Sequence, residues 1–307
     1  MQVFHASHIA VALPAGHRFP TPKSARLLER VRAELPGVEL HEAEPASDGE
    51  LALAHTPGYI DAVVHGSLPD AAQRAIGLPW SPALVERSRR SVGATIGAAR
   101  AALAEGVALQ LAGGSHHAHA DRGSGYCVFN DVAVAARLMQ AEMHRRSRTL
   151  LRVLVVDLDV HQGDGTAAIF ADDATVFTFS MHGARNFPAR KATSDLDVEL
   201  PDGCDDERYL AALDGALRSV WQRHEGAMPG LAFYLAGADP HEGDRLGRLK
   251  LTAAGLAERD RRVFDALRER GIPVAVAMAG GYGTDIDATV GVHLRTVHEA
   301  LQSASCW

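Results

Sequence analysis

Val153-Leu154-Val155-Val156 runs directly into Asp157-Leu158-Asp159-Val160-His161-Gln162-Gly163-Asp164-Gly165, and this junction decides the fold. The first four residues are apolar and mostly β-branched, as in a strand covered on both faces. Extended residues two apart point the same way, so Asp157, Asp159 and His161 share one face while Leu158 and Val160 take the other. The turn from Gly163 to Gly165 brings Asp164 back toward the same spot. Carboxylates and an imidazole converging at a strand end need a cation or buried partners to balance them. The plainer reading has one Asp capping the next helix, with His161 and the second Asp solvated. It leaves that convergence uncompensated, so the pattern reads as a metal site.

The same design recurs along the chain. Val107 to Leu111 leads into Gly113-Gly114-Ser115-His116-His117, Leu231 to Leu235 into Gly237-Ala238-Asp239-Pro240, and Ile272 to Met278 into Gly280-Gly281-Tyr282-Gly283. Thr175 to Phe179 reads as a further buried strand. Between the strands, helices are predicted from Thr21-Pro22 to Pro36-Gly37, from Ser81-Pro82 to Gly106, from Asn130 to about Arg146, from Asp205 to Glu225, from Thr252 to Gly271 and from Thr284 to Gln302. Gly66 to Trp80 and His182 to Asp206 read as long loops. This alternation predicts one α/β domain over residues 1–307, its sheet predominantly parallel and flanked by helices on both faces. Ligands of such sheets bind outside the carboxyl ends of the strands, so the four polar strand ends should meet. The assembled kit is two aspartates and a histidine for a metal, a histidine pair, and a tyrosine on a glycine loop.

Composition narrows the function classes. A chain of 307 residues, 47% hydrophobic, buries a large core. With a net charge of −7 and lysine only at positions 23, 191 and 250, no nucleic-acid footprint is expected. Cys127, Cys204 and Cys306 fit neither a disulfide framework nor a zinc finger, and read as reduced thiols of a cytoplasmic protein. No signal peptide and no membrane span is expected.

In their order and placement at strand ends, these motifs resemble the zinc-dependent histone deacetylase family of the arginase/deacetylase fold. The likeness extends from His55-Thr56-Pro57-Gly58-Tyr59 through Gly113 to Asp131, the Asp/His run, Gly237 to Gly247 and Gly280 to Gly283. Gln162, Asp121-Arg122-Gly123 and Glu242-Gly243-Asp244-Arg245-Leu246-Gly247 look like the class IV or bacterial branch; Asp164 departs from it, because class IV-like sequences often carry Asn there. The resemblance implies that Asp159, His161 and Asp239 ligate zinc, with positions left for water and substrate; ferrous iron suits the same donors. It implies that Asp157 orients His116 and Asp164 orients His117, and that His117 handles the protons of hydrolysis while His116 contributes electrostatics. Tyr282 is implied as the oxyanion donor. Gly125, Tyr126, Phe187 and Leu246 are implied to line an acyl-lysine channel, with Tyr126 standing where the family usually has Phe. A structural potassium is implied at Asp157, Asp159, His161, Ser180 and Met181. Cys127 matches a structural position, a small buried hydrophobe. Of the 16 histidines, most others, such as His41, His144 and His224, are expected to face solvent.

The implied activity is removal of an acyl group, acetyl or longer, from a lysine side chain in a protein or peptide. Acylated polyamines or other small acylated amines are the alternative substrates. Two rivals share the fold: a two-manganese ureohydrolase of the arginase type, which needs further His and Asp ligands and has no use for Tyr282, and a non-catalytic acyl-lysine binding module.

Overall fold

Valine, isoleucine and leucine at consecutive positions make strands whose two faces are both apolar, and such strands pair in parallel under a cover of helices. The computed structural model describes residues 1–307 and shows this arrangement. In chain order the elements are β1 (Gln2–His5), α1 (Lys23–Glu34), β2 (Glu39–Glu42), α2 (Asp48–Leu51), α3 (Pro57–His65), α4 (Asp70–Ile76), α5 (Pro82–Glu105), β3 (Val107–Gln110) and α6 (Asp131–Ser147). They continue with β4 (Val153–Asp157), α7 (Asp164–Phe170), β5 (Val176–Gly183), β6 (Leu196–Leu200), α8 (Asp206–Arg223), β7 (Leu231–Leu235), α9 (Ala253–Arg268), β8 (Val274–Ala277) and α10 (Ile286–Ala304). All eight strands join one parallel sheet in the order β2-β1-β3-β8-β7-β4-β5-β6.

β4 shows how the core is divided. Leu154 and Val156 pack into the apolar layer beneath α1, α8, α9 and α10, whereas Val153 and Val155 pack into the layer beneath α3, α5 and α6. Truncating one of these side chains, as in Leu154→Ala, would cost about 2–5 kcal/mol, the lost transfer energy plus a cavity. Capping sets where the long helices start. Ser81 accepts from Leu84 N–H ahead of Pro82 at the opening of α5, Asn130 accepts from Ala133 N–H at α6, and Thr252 accepts from Gly255 N–H at α9.

Two expectations about loops need correction. Gly66 to Trp80 contains α4, closed by Gly77 in the left-handed conformation, and His182 to Asp206 contains β6, which pairs with the far end of β5. β6 is an edge strand with only one buried residue, Leu200, so it lacks the continuous apolar run that marks the central strands. For the same reason β1 and β2, four residues each and partly exposed, carry no clear strand pattern.

Candidate active site

The three donors singled out at the strand ends come together. Asp159 and His161 follow β4, Asp239 follows β7, and one ligand atom from each lies within 4.8 Å of the others, all buried. His161 Nδ1 stands 3.0 Å from Asp159 Oδ1 and 3.2 Å from Asp239 Oδ2. Backbone amides hold the carboxylates in place: Val160 N–H donates to Asp239 Oδ1 at 2.9 Å and Gly280 N–H to Asp159 Oδ2 at 2.7 Å. A side chain at Gly280 would collide with Asp239 Oδ2 and come within 2.6 Å of Asp159 Oδ2, so only glycine fits there. Burial and then the charge of Asp159 push Asp239 up to about 7. Burial opposes charge on His161, but its hydrogen bond with Asp159 and the adjacent Asp239 carboxylate overcome this and raise it to about 10. The site therefore demands positive charge, and the buried Asp239 Oδ2 receives no aligned hydrogen bond. Two carboxylates and one imidazole fit a divalent cation such as zinc, which takes mixed oxygen and nitrogen donors.

The histidine pair sits on the loop after β3. Asp131, fully buried at the start of α6, accepts from Gly114 N–H at 3.0 Å and Ser115 N–H at 2.7 Å and so fixes that loop. His116 Nδ1 is 2.7 Å from Asp157 Oδ2, and His117 Nδ1 is 2.6 Å from Asp164 Oδ1, at the first turn of α7. Both imidazoles are buried, yet they part in charge. Burial pulls His116 down, but Asp157 and Asp159 outweigh it and raise it to about 9. For His117, burial and the charge of His116 outweigh Asp164 and hold it near 4. The two rings are pushed in opposite directions, His116 toward the imidazolium and His117 toward the neutral base.

Tyr282 faces this group from the β8 loop, its ring centroid 6.3 Å from that of His161 and 5.9 Å from that of Tyr126. Its phenol makes no hydrogen bond within the protein. Its backbone is anchored: Tyr282 N–H donates to Asp244 Oδ2 at 2.5 Å, and Arg245 Nε–H to Tyr282 O at 2.7 Å. A cavity of about 190 Å³ is lined by His117, Gly125, Tyr126, His161, Phe187, Leu246 and Tyr282, so the four expected channel residues share one cavity with two of the expected catalytic residues, His117 and Tyr282. Phe187 stands edge-on to His117 at 4.8 Å and is 45% exposed, at the rim. Gly125, at φ +53°, lets the wall approach His117, because a Cβ there would lie 2.6 Å from the ring. Behind the site lies an inner chamber of about 110 Å³ that shares His117, His161 and Tyr282 with the channel. Ser88, Ser91, Lys23 and Arg87 line it. Burial lowers Lys23 to about 8 and lowers Arg87.

The histone deacetylase domain family matches residues 17–297. The chain belongs to the histone deacetylase family. It is 44% identical to a protein of Picosynechococcus sp. over 294 residues, 95% of each chain. It is 32% identical to Histone deacetylase 2 of Arabidopsis thaliana over 247 residues, which are 77% of this chain and 62% of the plant protein. The fold is that of the histone deacetylase homologue from Aquifex aeolicus, with a TM-score of 0.81 at 24% identity, covering 98% of this chain and 84% of that one. Family membership makes the chain a hydrolytic deacetylase, an enzyme for amide bonds other than peptide bonds.

Within this deacetylase, Asp157, Ser180 and Met181 are buried side by side where β4 and β5 pair, in register Asp157 to Ser180. Cys127 is buried, as expected of a structural thiol. His144 is exposed and His41 half-buried, but His224 is buried; it donates to Val220 O at 2.7 Å and packs against Phe177, which corrects its placement in solvent. Sequence reasoning missed Lys23 and Arg87 as site residues and took Asp131, Asp244 and Arg245 only as marks of resemblance. Asp131 had a signal, since an Asp directly after the N-cap Asn130 is well placed to meet backbone amides. No helix is long and apolar enough to cross a membrane.

Proposed function

We propose that this deacetylase removes short acyl groups, acetyl foremost, from lysine side chains, using zinc held by Asp159, His161 and Asp239. The observation that carries the reading is the cavity where His117, the proposed metal ligand His161 and an unengaged phenol (Tyr282) meet between the aromatic walls of Tyr126 and Phe187. Zinc, when bound, supplies Lewis acidity toward a carbonyl oxygen and toward water. His117, neutral and oriented by Asp164, accepts a proton from the attacking water and returns one to the departing amine. His116, held charged by Asp157, lends positive potential to the negative charge that develops on the substrate. The Tyr282 hydroxyl donates to the oxyanion of the tetrahedral intermediate. Tyr126 and Phe187 flank the aliphatic stem of the lysine, for which flat aromatic surfaces are well suited. Asp157, Asp159, His161, Ser180 and Met181 would hold the structural potassium.

The inner chamber supports the preference for short chains. An aliphatic tail entering it would meet the buried cations Lys23 and Arg87, which line the chamber, and offer neither a polar partner. The test is a panel of acetyl-lysine and octanoyl-lysine peptides with acetylspermidine, run on zinc-loaded wild type and Tyr282→Phe. Expected are turnover of the acetyl peptide, kcat/KM for octanoyl lower by at least about tenfold, and a loss of about 100-fold to 1000-fold in the variant with zinc retained. Absence of turnover on every member would sink the reading; acetylspermidine as best substrate would replace lysine with a small amine.

A further inference from the structure

Arg259, on α9, heads the fully buried side chains by volume, and nothing in the proposed chemistry uses it. Its guanidinium reaches the sheet where β4 and β7 part. The last rung between their chains is Leu158 N–H donating to Leu235 O at 3.1 Å. Beyond it, Arg259 Nη1 donates to Gly237 O at 2.7 Å and to Leu158 O at 3.3 Å. Leu158 immediately precedes Asp159, and Gly237 lies two residues before Asp239. Asp260 anchors the guanidinium from behind, accepting from Nε–H at 2.8 Å. Asp260 is itself held by the Tyr234 hydroxyl at 2.5 Å and the Thr296 hydroxyl at 2.6 Å.

A buried ion pair is a weak source of stability, since apolar residues of similar volume often do as well or better. The placement of this one accounts for it differently. The two loops it bridges touch at the ligands: a Cβ on Gly237 would lie 2.7 Å from Asp239 Oδ1 and 2.8 Å from Asp159 Cα. A shift of either carbonyl therefore passes directly to a donor atom, and the two buried carboxylates repel one another unless something holds their loops together. We infer that Arg259 is a positioning residue for the metal centre, extending the β4–β7 ladder past its end so that Asp159 and Asp239 keep the spacing a divalent cation requires. The inference rests on the proposed zinc site.

The test is zinc affinity, measured by competition with a chromophoric chelator on chelator-dialysed protein, with thermal melts of the same samples. The variants are Arg259→Met, Arg259→Lys, the charge-removing double variant Arg259→Met/Asp260→Asn, and Val263→Ala as a core control on α9. Expected is weakening of zinc binding by about 10- to 100-fold in Arg259→Met and in the double variant, as for removal of groups that orient metal ligands. Arg259→Lys, which can reach one carbonyl but not bridge two, should fall between these and wild type. Val263→Ala should lower the melting temperature and leave zinc affinity within about twofold, because it removes apolar volume but no hydrogen bond to either loop. The inference is overturned if the Arg259 variants bind zinc as wild type does, or if Val263→Ala weakens zinc equally at a matched loss of stability. Should Arg259→Met not fold, the double variant and Arg259→Lys decide the matter by the same criterion. Failure of wild type itself to bind zinc would instead refute the proposed site.

Discussion

His117 Nδ1 and Asp164 Oδ1 are 2.6 Å apart in a buried pair, yet the imidazole is held near 4, because burial and the charge of His116 outweigh its aspartate. A carboxylate that does not protonate its histidine still fixes the tautomer, leaving Nε2 as the free acceptor toward the cavity.

His117→Ala should lower kcat by about 100- to 10,000-fold, the usual worth of a positioned base. Asp164→Asn, which preserves the hydrogen bond but not the charge, should lower it by a smaller factor with KM nearly unchanged. Steady-state kinetics on the acetyl peptide check both. Equal activity of His117→Ala and wild type would remove the histidine from the reaction.

Asp244 accepts from the amides of Tyr282, Leu246 and Gly247, and so ties Tyr282, the proposed oxyanion donor, to Leu246 in the cavity wall. Asp244→Ala should reduce kcat by about tenfold or more, given about 1.5–3 kcal/mol for a hydrogen bond to a charged group. Added to Tyr282→Phe it should cost little further, because the two act as one unit. A double variant as poor as the product of the two single losses would show that Asp244 works by another route.

Gly280→Ala places a methyl against both Asp239 and Asp159. The expected protein keeps its circular dichroism spectrum but retains less than about a tenth of the wild-type zinc after desalting, in line with disturbance of ligand placement. Full zinc occupancy measured by mass spectrometry would contradict the geometry.

His55 is buried between two hydrogen bonds: its Nδ1–H donates to His119 O at 3.0 Å and its Nε2 accepts from Asn130 N–H at 2.9 Å. That arrangement requires the neutral ring, and burial lowers its pKa to about 4. The unfolded chain, with an ordinary value of about 6.5, takes up the proton first. Stability contributed by the neutral ring is thus complete above about pH 6.5 and declines as pH falls toward 4, by at most about 1.4 kcal/mol per pH unit. Urea melts of His55→Gln should lie below wild type at pH 8, with the gap closing in acid. A pH-independent gap would rule this out.

The centre of the sheet was legible in the sequence because β3, β4, β7 and β8 are apolar on both faces and end in residues that cannot be buried unpaired. Asp159, His161 and Asp239 could be read for that reason, although their mutual distances could not. β1, β2 and β6 lie toward the sheet's edges, where exposure dilutes the pattern. Arg259 and Arg87 escaped for a different reason. An arginine amid the charged run from Glu258 to Arg270 looks like helix surface, and only the packing of α9 reveals that Arg259 points inward while Arg261 is half exposed. His224 misled in the same way, at the polar end of α8.

β7 and β8 are the last strands to be synthesised and the middle strands of the sheet. The six strands up to α8 fall into two groups, β2-β1-β3 and β4-β5-β6, that make no pairing with each other in the sheet. Asp239 and Tyr282 travel with the strands that lie between the two groups. The segment that fills the middle of the sheet is therefore the same segment that carries the third proposed metal ligand and the proposed oxyanion donor.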